Sequence, residues 1–353
     1  MTGSHIDVEA EGKLYGQLRH FWHPVAYSED VTDSPLGVTL LDQRLVVARL
    51  GDSVIVWDDL CRHRGTALSL GWIEGDLLRC AYHGWTYDRT GTVVEVPARP
   101  ELSGRLKVAV PGYPVAEAWG LVWTCLEPEP KFPVPEFPEL EDPEYRSIRF
   151  EPYEWACSMG RRLENYFDFS HFAFVHDGIL GDRDQAYIHD YEVKRHGSEI
   201  RMVAGPFAEY VDNVKNMVAR EKGAGSGKTY EAWKRYRVSM PNAMKLNSSA
   251  GPSGEDYVLC VALCPVGPKT TRCFTFVARN YAFDEDEAFR EFQYVILGQD
   301  KVVVESQRPE ELPEDLSEEL HVRGADLGTL EFRRWLLEII DGRFEMAPVG
   351  APA

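Results

Sequence analysis

The sequence is short of positive charge. Against 57 aspartates and glutamates it sets 38 lysines and arginines over 353 residues, a formal net charge of −19. That balance disfavours nonspecific attachment to nucleic acid or anionic membranes and favours solubility. No apolar run approaches the roughly 18 residues of a membrane span. The opening residues, MTGSHIDVEAEGKL, lack the basic-then-apolar order of a secretory leader, so a cytoplasmic protein is the expectation. Cysteine is also scarce and odd in number: Cys61, Cys80, Cys125, Cys157, Cys260, Cys264 and Cys273. Few and odd thiols in a chain of this size argue against a disulfide framework and for free thiols or metal ligands.

What remains is ordinary globular composition, 44% hydrophobic and 27% charged, with length for roughly two or three domains. Residues 1–14 read as a loose tail. From about Trp22 to Trp123 short β-rich runs alternate with turns, as in LGVTLLDQRLVVARLGDSVIVW, with a turn at Gly51-Asp52, and WTYDRTGTVVEV, with another at Thr90-Gly91. The segment EPEPKFPVPEFPELEDPEY carries six prolines, whose fixed φ angles forbid helix and central strand, so it reads as a connector. Beyond it, WACSMGRRLENYFDFSHFAFVH is expected to be helical, and YEVKRHGSEIRMVAG, YVLCVALCPV and RCFTFVARNY read as strands. EKGAGSGK (221–228) reads as a flexible loop, either a lid or plain surface. A helix is expected from about Asp286 to Gln307. The boundaries are a tail at 1–14, a β domain at 15–127, a connector at 128–145, an α+β domain at 146–341 and a tail at 342–353.

Two short segments carry metal-ligand chemistry. LCRHRG and CAYHGW supply Cys61, His63, Cys80 and His83 as C-x-H, sixteen residues, then C-x2-H. Tetrahedral zinc takes such mixed sets, and so does a [2Fe–2S] cluster with two thiolates on one iron and two imidazoles on the other. The order favours iron, because each loop puts its Cys first and its His second and can give one ligand to each metal. Gly65 and Gly84 follow closely, letting the backbone approach the cluster. Arg62, Arg64 and Arg79 flank these ligands, either to dock an acidic electron donor or to make local salt bridges.

The second segment, NYFDFSHFAFVH, places Asp168, His171 and His176 among aromatics. Buried ionisable groups must be paired, hydrogen-bonded or metal-bound. A one-electron carrier also needs an acceptor, and two histidines with one carboxylate suit a non-haem iron with open positions for O₂. On a helix His171 and His176 would lie about 140° apart, so both reach one ion only if the helix bulges or ends between them. The missing carboxylate is expected on a buried face elsewhere. In EAFREFQYVILGQDKVVVESQ, Phe289, Phe292, Ile296 and Val303 or Val304 recur at helical spacing, and Asp300 falls on their stripe. Glu305, pointing away, is the runner-up. For the pocket walls, Phe167, Phe172, Asn242 and Asn247 are the candidates.

The paired Cys/His loops resemble the Rieske family over about a hundred residues. Electron-transport Rieske proteins carry an extra cysteine in each loop and a serine after the second His-Gly. Here Thr66, Tyr82 and Trp85 stand in those places, and losing a hydroxyl donor should lower the reduction potential. The second half resembles the α subunits of Rieske non-haem iron oxygenases through D-x2-H-x4-H. HDGILGDR (176–183) and ELPEDLSEELHVRGAD (311–326) are similar to hydroxylases of the saxitoxin-biosynthesis type and to O-demethylases.

That resemblance implies an N-terminal all-β Rieske domain and a helix-grip-like catalytic domain. His171, His176 and Asp300 would bind a mononuclear Fe(II). Asp168 would bridge His171 to a cluster histidine of the neighbouring subunit in a head-to-tail homotrimer, and Asn165 would sit near the iron. It implies a monooxygenase fed from NAD(P)H by a flavin reductase, directly or through a ferredoxin. With O₂ it would hydroxylate a C–H bond of a small, largely apolar or polycyclic organic molecule. Oxidation of a methyl on oxygen or nitrogen would make it a demethylase. The readings from other classes are a Rieske electron carrier with a binding domain and a zinc module.

Overall fold

The computed structural model describes residues 8–210, 229–249, 255–313 and 315–348. The described chain forms two compact units, one of Leu18–Val134 with Cys264–Gly267 and one of the remainder. The division falls within the proline-dense stretch, whose one regular turn is a 3-10 helix at Pro138–Leu140.

Helix α1 (Val8–Leu18) occupies residues expected as part of a loose tail. The smaller unit is three antiparallel sheets. The first pairs β1 (His23–Tyr27) with β10 (Leu121–Thr124), which in turn pairs β9 (Val115–Ala118). The second is β2 (Leu36–Leu40), β3 (Gln43–Leu50) and β4 (Ser53–Asp58), and the third β5 (Trp72–Glu74), β6 (Leu77–Arg79), β7 (Thr86–Tyr87) and β8 (Val93–Glu95). The turn at Gly51-Asp52 is present, with Gly51 at φ +58°. A second turn in the same run has no glycine. Leu41 and Asp42 join β2 to β3 with φ of +51° and +60°, and their N–H groups donate to the Pro265 and Val266 carbonyls at 2.7 and 2.9 Å. Those two hydrogen bonds hold a left-handed leucine that local propensity alone would not select.

The larger unit is built on an eight-stranded antiparallel sheet. Its main path runs β11 (Arg146–Arg149), β18 (Thr270–Arg279), β17 (Asp256–Gly267), β16 (Ala243–Ser249), β15 (Thr229–Ser239), β14 (Glu199–Tyr210) and β13 (Glu192–His196), and β12 (Tyr153–Trp155) pairs with β18. Helices α2 (Met159–Glu164) and α3 (Phe172–Val175) precede β13. Helix α4 (Asp286–Val304) packs on the sheet through Phe289, which stacks on Tyr257 at 6.1 Å, and through Asp286, which pairs with Arg279 at 2.5 Å. Helix α5 (Leu327–Ile340) packs through Phe332, stacked on Phe167 at 4.8 Å, and through Trp335, covered by the Arg195 guanidinium at 4.6 Å. The sheet with its two long helices is the α+β architecture expected for this half of the chain.

Two expectations are corrected. The aromatic segment is not one helix, because residues 165–171 separate α2 from α3. The C-terminal stretch is not wholly loose either: Ala347 and Gly197 exchange backbone hydrogen bonds of 2.9 and 3.1 Å. The loop expected at 221–228 lies outside the described residues. No helix among those residues is long and apolar enough to cross a membrane.

Candidate active site

In the smaller unit the two Cys/His loops are built alike. Cys61 N–H donates to Thr66 O at 2.8 Å and Gly65 N–H returns to Cys61 O at 2.8 Å. In the second loop Cys80 N–H donates to Trp85 O at 2.9 Å and Gly84 N–H to Cys80 O at 3.0 Å. Gly65 and Gly84 have φ of +72° and +69°, so the left-handed turn, rather than the reach of their own N–H groups, is what demands glycine. Both cysteines belong to the unit's hydrophobic core, with Val46, Leu68, Leu78 and Tyr87. His63 lies between His83, edge-on at 4.6 Å, and Trp85, stacked at 4.7 Å. Its Nδ1 is buried without a hydrogen-bond partner, as a metal-facing nitrogen would be.

Tyr87 is a residue that sequence reasoning missed. Its hydroxyl lies 3.1 Å from Cys61 Sγ and accepts from Arg62 N–H at 3.0 Å. Burial, and then the Cys61 thiol, push the phenol well above its ordinary value, so it remains a donor toward sulfur. The hydroxyl lost at Trp85 is therefore not the whole hydrogen-bonding picture. Arg79 is tied to Glu74 at 2.9 Å and Glu95 at 2.8 Å and donates to Gly84 O at 3.2 Å, which makes it a brace for the second loop. Arg62 and Arg64 are exposed.

In the larger unit, His171 and His176 cap opposite ends of the single-turn α3. The backbone leaves the helix at His176, with φ −109° and ψ 28°, and both rings face Asp300 of α4. His176 Nε2 lies 3.0 Å and His171 Nε2 3.5 Å from Asp300 Oδ1. Among the described residues, these three form the set of potential ligands whose donor atoms lie within 4.8 Å of one another. Asp300 shares its buried face with Phe289, Phe292, Ile296 and Val304, whereas Val303 is exposed. Glu305 accepts from Ala156 N–H at 2.7 Å and is not part of the set.

The hydrogen bonds around these three test whether they fit a metal. His176 Nδ1 lies 2.8 Å from Gln299 Oε1, an oxygen that can only accept, so Nδ1 carries a proton and Nε2 is the nitrogen turned toward Asp300. That nitrogen faces a buried carboxylate oxygen 3.0 Å away. Such a contact is held either by a proton on Nε2 or by a cation between the two atoms. Behind His171, Asp168 Oδ2 stands 3.4 Å from Nδ1, a proximity without hydrogen-bond geometry. An oxygen behind each imidazole is the usual support of a ligand histidine. The residues fit a metal ion.

The surroundings keep this geometry. Asp168 Oδ1 accepts from Ser170 N–H at 2.7 Å, and its side chain is 38% exposed, so its outer edge is open. Arg162, fully buried between the Trp155 and Tyr166 rings at 4.0 and 4.2 Å, donates to Asn165 Oδ1 at 2.9 Å. Burial works against the Arg162 charge, but Tyr166, Tyr153, Cys273 and Asp300 more than offset it and hold the guanidinium above its ordinary value. With Asn165 Oδ1 engaged, the amide's remaining end is its N–H donors. Gly181, in HDGILGDR, lies against the Phe172 carbonyl, where a Cβ would come within 2.4 Å of the oxygen, so the chain after His176 folds back tightly. In ELPEDLSEELHVRGAD, Glu319 takes Arg161 at 2.5 Å and also Arg333, anchoring that segment to α2 and α5.

A pocket opens beside the three residues, lined among others by Asn165, Phe172, Leu246, Tyr257 and Ile296. Of the wall candidates, Phe172 lines it. Phe167 packs instead on Phe332. Asn242 is buried with its amide on Leu263 O at 3.2 Å, and Asn247 binds Asp256 at 3.1 Å. On β16 the residues that reach the cavity are Leu246 and Ser248, which flank Asn247 in the strand alternation.

Residues 21–114 match the family described as the Rieske [2Fe-2S] domain, and residues 155–342 match the vanillate O-demethylase oxygenase C-terminal domain. Over 336 residues the chain is 36% identical to the methylxanthine N1-demethylase NdmA of Pseudomonas putida, covering 93% of this chain and 91% of that protein. It is 32% identical to the methylxanthine N3-demethylase NdmB of the same organism, covering 94% and 93%. The solved structure of Pseudomonas putida CBB5 NdmA with caffeine matches with a TM-score of 0.82 at 34% identity, over 93% of both chains. The first match excludes the zinc module and the second the plain carrier. With both halves matched and the relatives nearly full-length, the chain belongs to the Rieske non-haem iron oxygenases, monooxygenases that use a [2Fe–2S] cluster and a mononuclear iron.

Proposed function

We propose that this monooxygenase hydroxylates the N-methyl group of a small nitrogen heterocycle and so acts as an oxidative N-demethylase. The observation that carries the reading is the near-full-length similarity to two N-demethylases. The cavity beside His171, His176 and Asp300 gives the substrate a place. In balance, one O₂, two electrons and two protons convert N–CH₃ to N–CH₂OH and water. The hydroxymethyl group then leaves as formaldehyde, and the nitrogen keeps a proton. O-demethylation follows the same balance, but the N-demethylase relatives favour nitrogen.

Cys61, His63, Cys80 and His83 would hold the cluster, and His171, His176 and Asp300 the iron. Together these groups supply single electrons and the activation of O₂. Gln299 fixes the His176 tautomer and Asp168 stands 3.4 Å behind His171 Nδ1, and Asn165, held by Arg162, offers N–H donors at the cavity wall. The open edge of Asp168 suits a link to a cluster histidine of a neighbouring subunit in a homotrimer. A flavin reductase, alone or with a ferredoxin, would supply electrons from NAD(P)H. Tyr87→Phe removes one hydrogen bond to Cys61 Sγ and is expected to lower the cluster potential by about 40 mV, equivalent to about 1 kcal/mol for one electron. A redox titration monitored by the visible spectrum reads this shift.

The assay is product analysis of the holoenzyme with reductase, NADH and an N-methylated heterocycle. Formaldehyde equal to the demethylated product is expected. A stable hydroxylated product without formaldehyde would place the oxidised carbon elsewhere.

A further inference from the structure

The wall of the cavity contains an ion pair that no step above uses. Lys234 on β15 and Glu209 on β14 both line the cavity, each has a side chain only 3% exposed, and the two are hydrogen-bonded to each other. Strand register explains the contact. Lys234 stands opposite Ser248 of β16, with Nζ 3.4 Å from its hydroxyl oxygen. Toward Glu209 the neighbouring inward residue is Ala232, whose single methyl lets the lysine chain lean across. Nζ also lies 5.3 Å from the centre of the Phe172 ring, which is itself 4.8 Å from the His171 ring. The pair is therefore one aromatic ring away from the metal-facing histidine.

Stability does not account for this arrangement. Removing two charges from water costs several kcal/mol per ion, and well-packed apolar residues at such positions are commonly as stable or more so. What the pair supplies is a buried charged point in a wall that joins the apolar Phe172, Leu246 and Ile296 to the neutral polar groups of Asn165, Ser248 and Gln293. An ammonium has three N–H donors, and Glu209 and Ser248 account for two directions. Its charge is already neutralised by Glu209, so a ligand carboxylate reaching Nζ would bring a second anion beside the first at low dielectric. A neutral carbonyl oxygen would not. Nearby, Gln293 Oε1 accepts from the Tyr257 hydroxyl at 2.6 Å, so the free end of that amide is also a donor.

We infer that Lys234 and Glu209 are the polar recognition point of the substrate cavity and select an uncharged heterocycle bearing an amide- or imide-type carbonyl over an aromatic carboxylate of similar size. The inference rests on the N-demethylase reading and specifies its substrate class. Equilibrium binding to the holoenzyme, without reductant, tests it with 1,3-dimethyluracil as the neutral probe and 4-methoxybenzoate as the anionic one. The native protein is expected to bind the neutral probe at least about tenfold more tightly. Glu209→Gln leaves the Lys234 charge uncompensated and is expected to shift preference toward the carboxylate by about tenfold or more. The double variant Lys234→Met/Glu209→Gln removes both charges together, leaves no buried ion unpaired, and is expected to weaken neutral binding about tenfold while keeping the cluster spectrum. Equal affinity of the native protein for the two probes, or an unchanged preference in both variants, overturns the inference. Formaldehyde release from 1,3-dimethyluracil in the same samples separates the two questions. Release that ignores the variants sinks this inference and leaves the demethylase reading. A preference that follows the variants, without formaldehyde, does the reverse.

Discussion

Asp300→Ala is expected to abolish turnover while leaving the cluster's colour intact, with iron falling from about three atoms per chain to about two. The expectation follows from the charge balance at the site. Asp300 Oδ1 is a buried acceptor facing the Nε2 atoms of His171 and His176 at 3.5 and 3.0 Å, and it is the only anion among the three. Two neutral imidazoles without it offer a divalent ion no charge compensation in a buried place. The cluster residues lie in a different compact unit with its own core, so they should be unaffected. Glu305→Gln is the control. Its carboxylate binds the Ala156 N–H instead, and the variant should keep its iron. Iron analysis beside the visible spectrum reads both outcomes, and a fully loaded, active Asp300→Ala would exclude the carboxylate as a ligand.

Asp168→Asn is expected to keep both metal centres and lose about 10–100-fold or more in turnover. The amide nearly preserves shape but removes the charge that sits 3.4 Å from His171 Nδ1. It also removes an anionic acceptor from the open edge, where an imidazole of another subunit would donate in the homotrimer proposed above. The informative reading is a single turnover with the cluster pre-reduced. Reoxidation of the cluster in the presence of substrate and O₂ should slow in the variant, while the iron count and the spectrum stay native. Hydroxylation at the native rate would show that Asp168 does not connect the centres.

The convergence of His171, His176 and Asp300 was legible because these residues violate pattern. Asp300 is an acid on an apolar helical stripe, and the helix that bears it runs Asp286–Val304 against an expected end at Gln307. Asp168, His171 and His176 are polar groups in an aromatic segment. The requirement that a helix end between the histidines was also readable, and a four-residue helix with a histidine at each end meets it. Lys234 escaped notice although a signal was there. In TYEAWKRYRVS the inward positions are Ala232, Lys234, Tyr236 and Val238, so the lysine is a charge on the buried phase of a strand.

Gln299 and Arg162 had no comparable signal. Gln299 works through His176, 123 residues away, a partner that only the fold brings near, whereas the Arg162 partners Trp155, Asn165 and Tyr166 lie within seven residues of it and carry no motif that marks their stacking. The Leu41-Asp42 turn was hidden for the same reason, since its stabilising carbonyls come from residues 265 and 266. For Gln299 and for this turn the local sequence was silent because the determining contact is long-range.

Anomalous diffraction at the iron edge, recorded from crystals of the loaded protein, tests the central claim most directly. The account predicts one strong double-iron peak between the Cys61–His63 and Cys80–His83 loops. It predicts a second, single-iron peak within bonding distance of His171 Nε2, His176 Nε2 and an Asp300 carboxylate oxygen, at the wall of the cavity. A map from fully loaded protein with the first peak alone, or with the two imidazoles turned away from a solvent-facing Asp300, would contradict it.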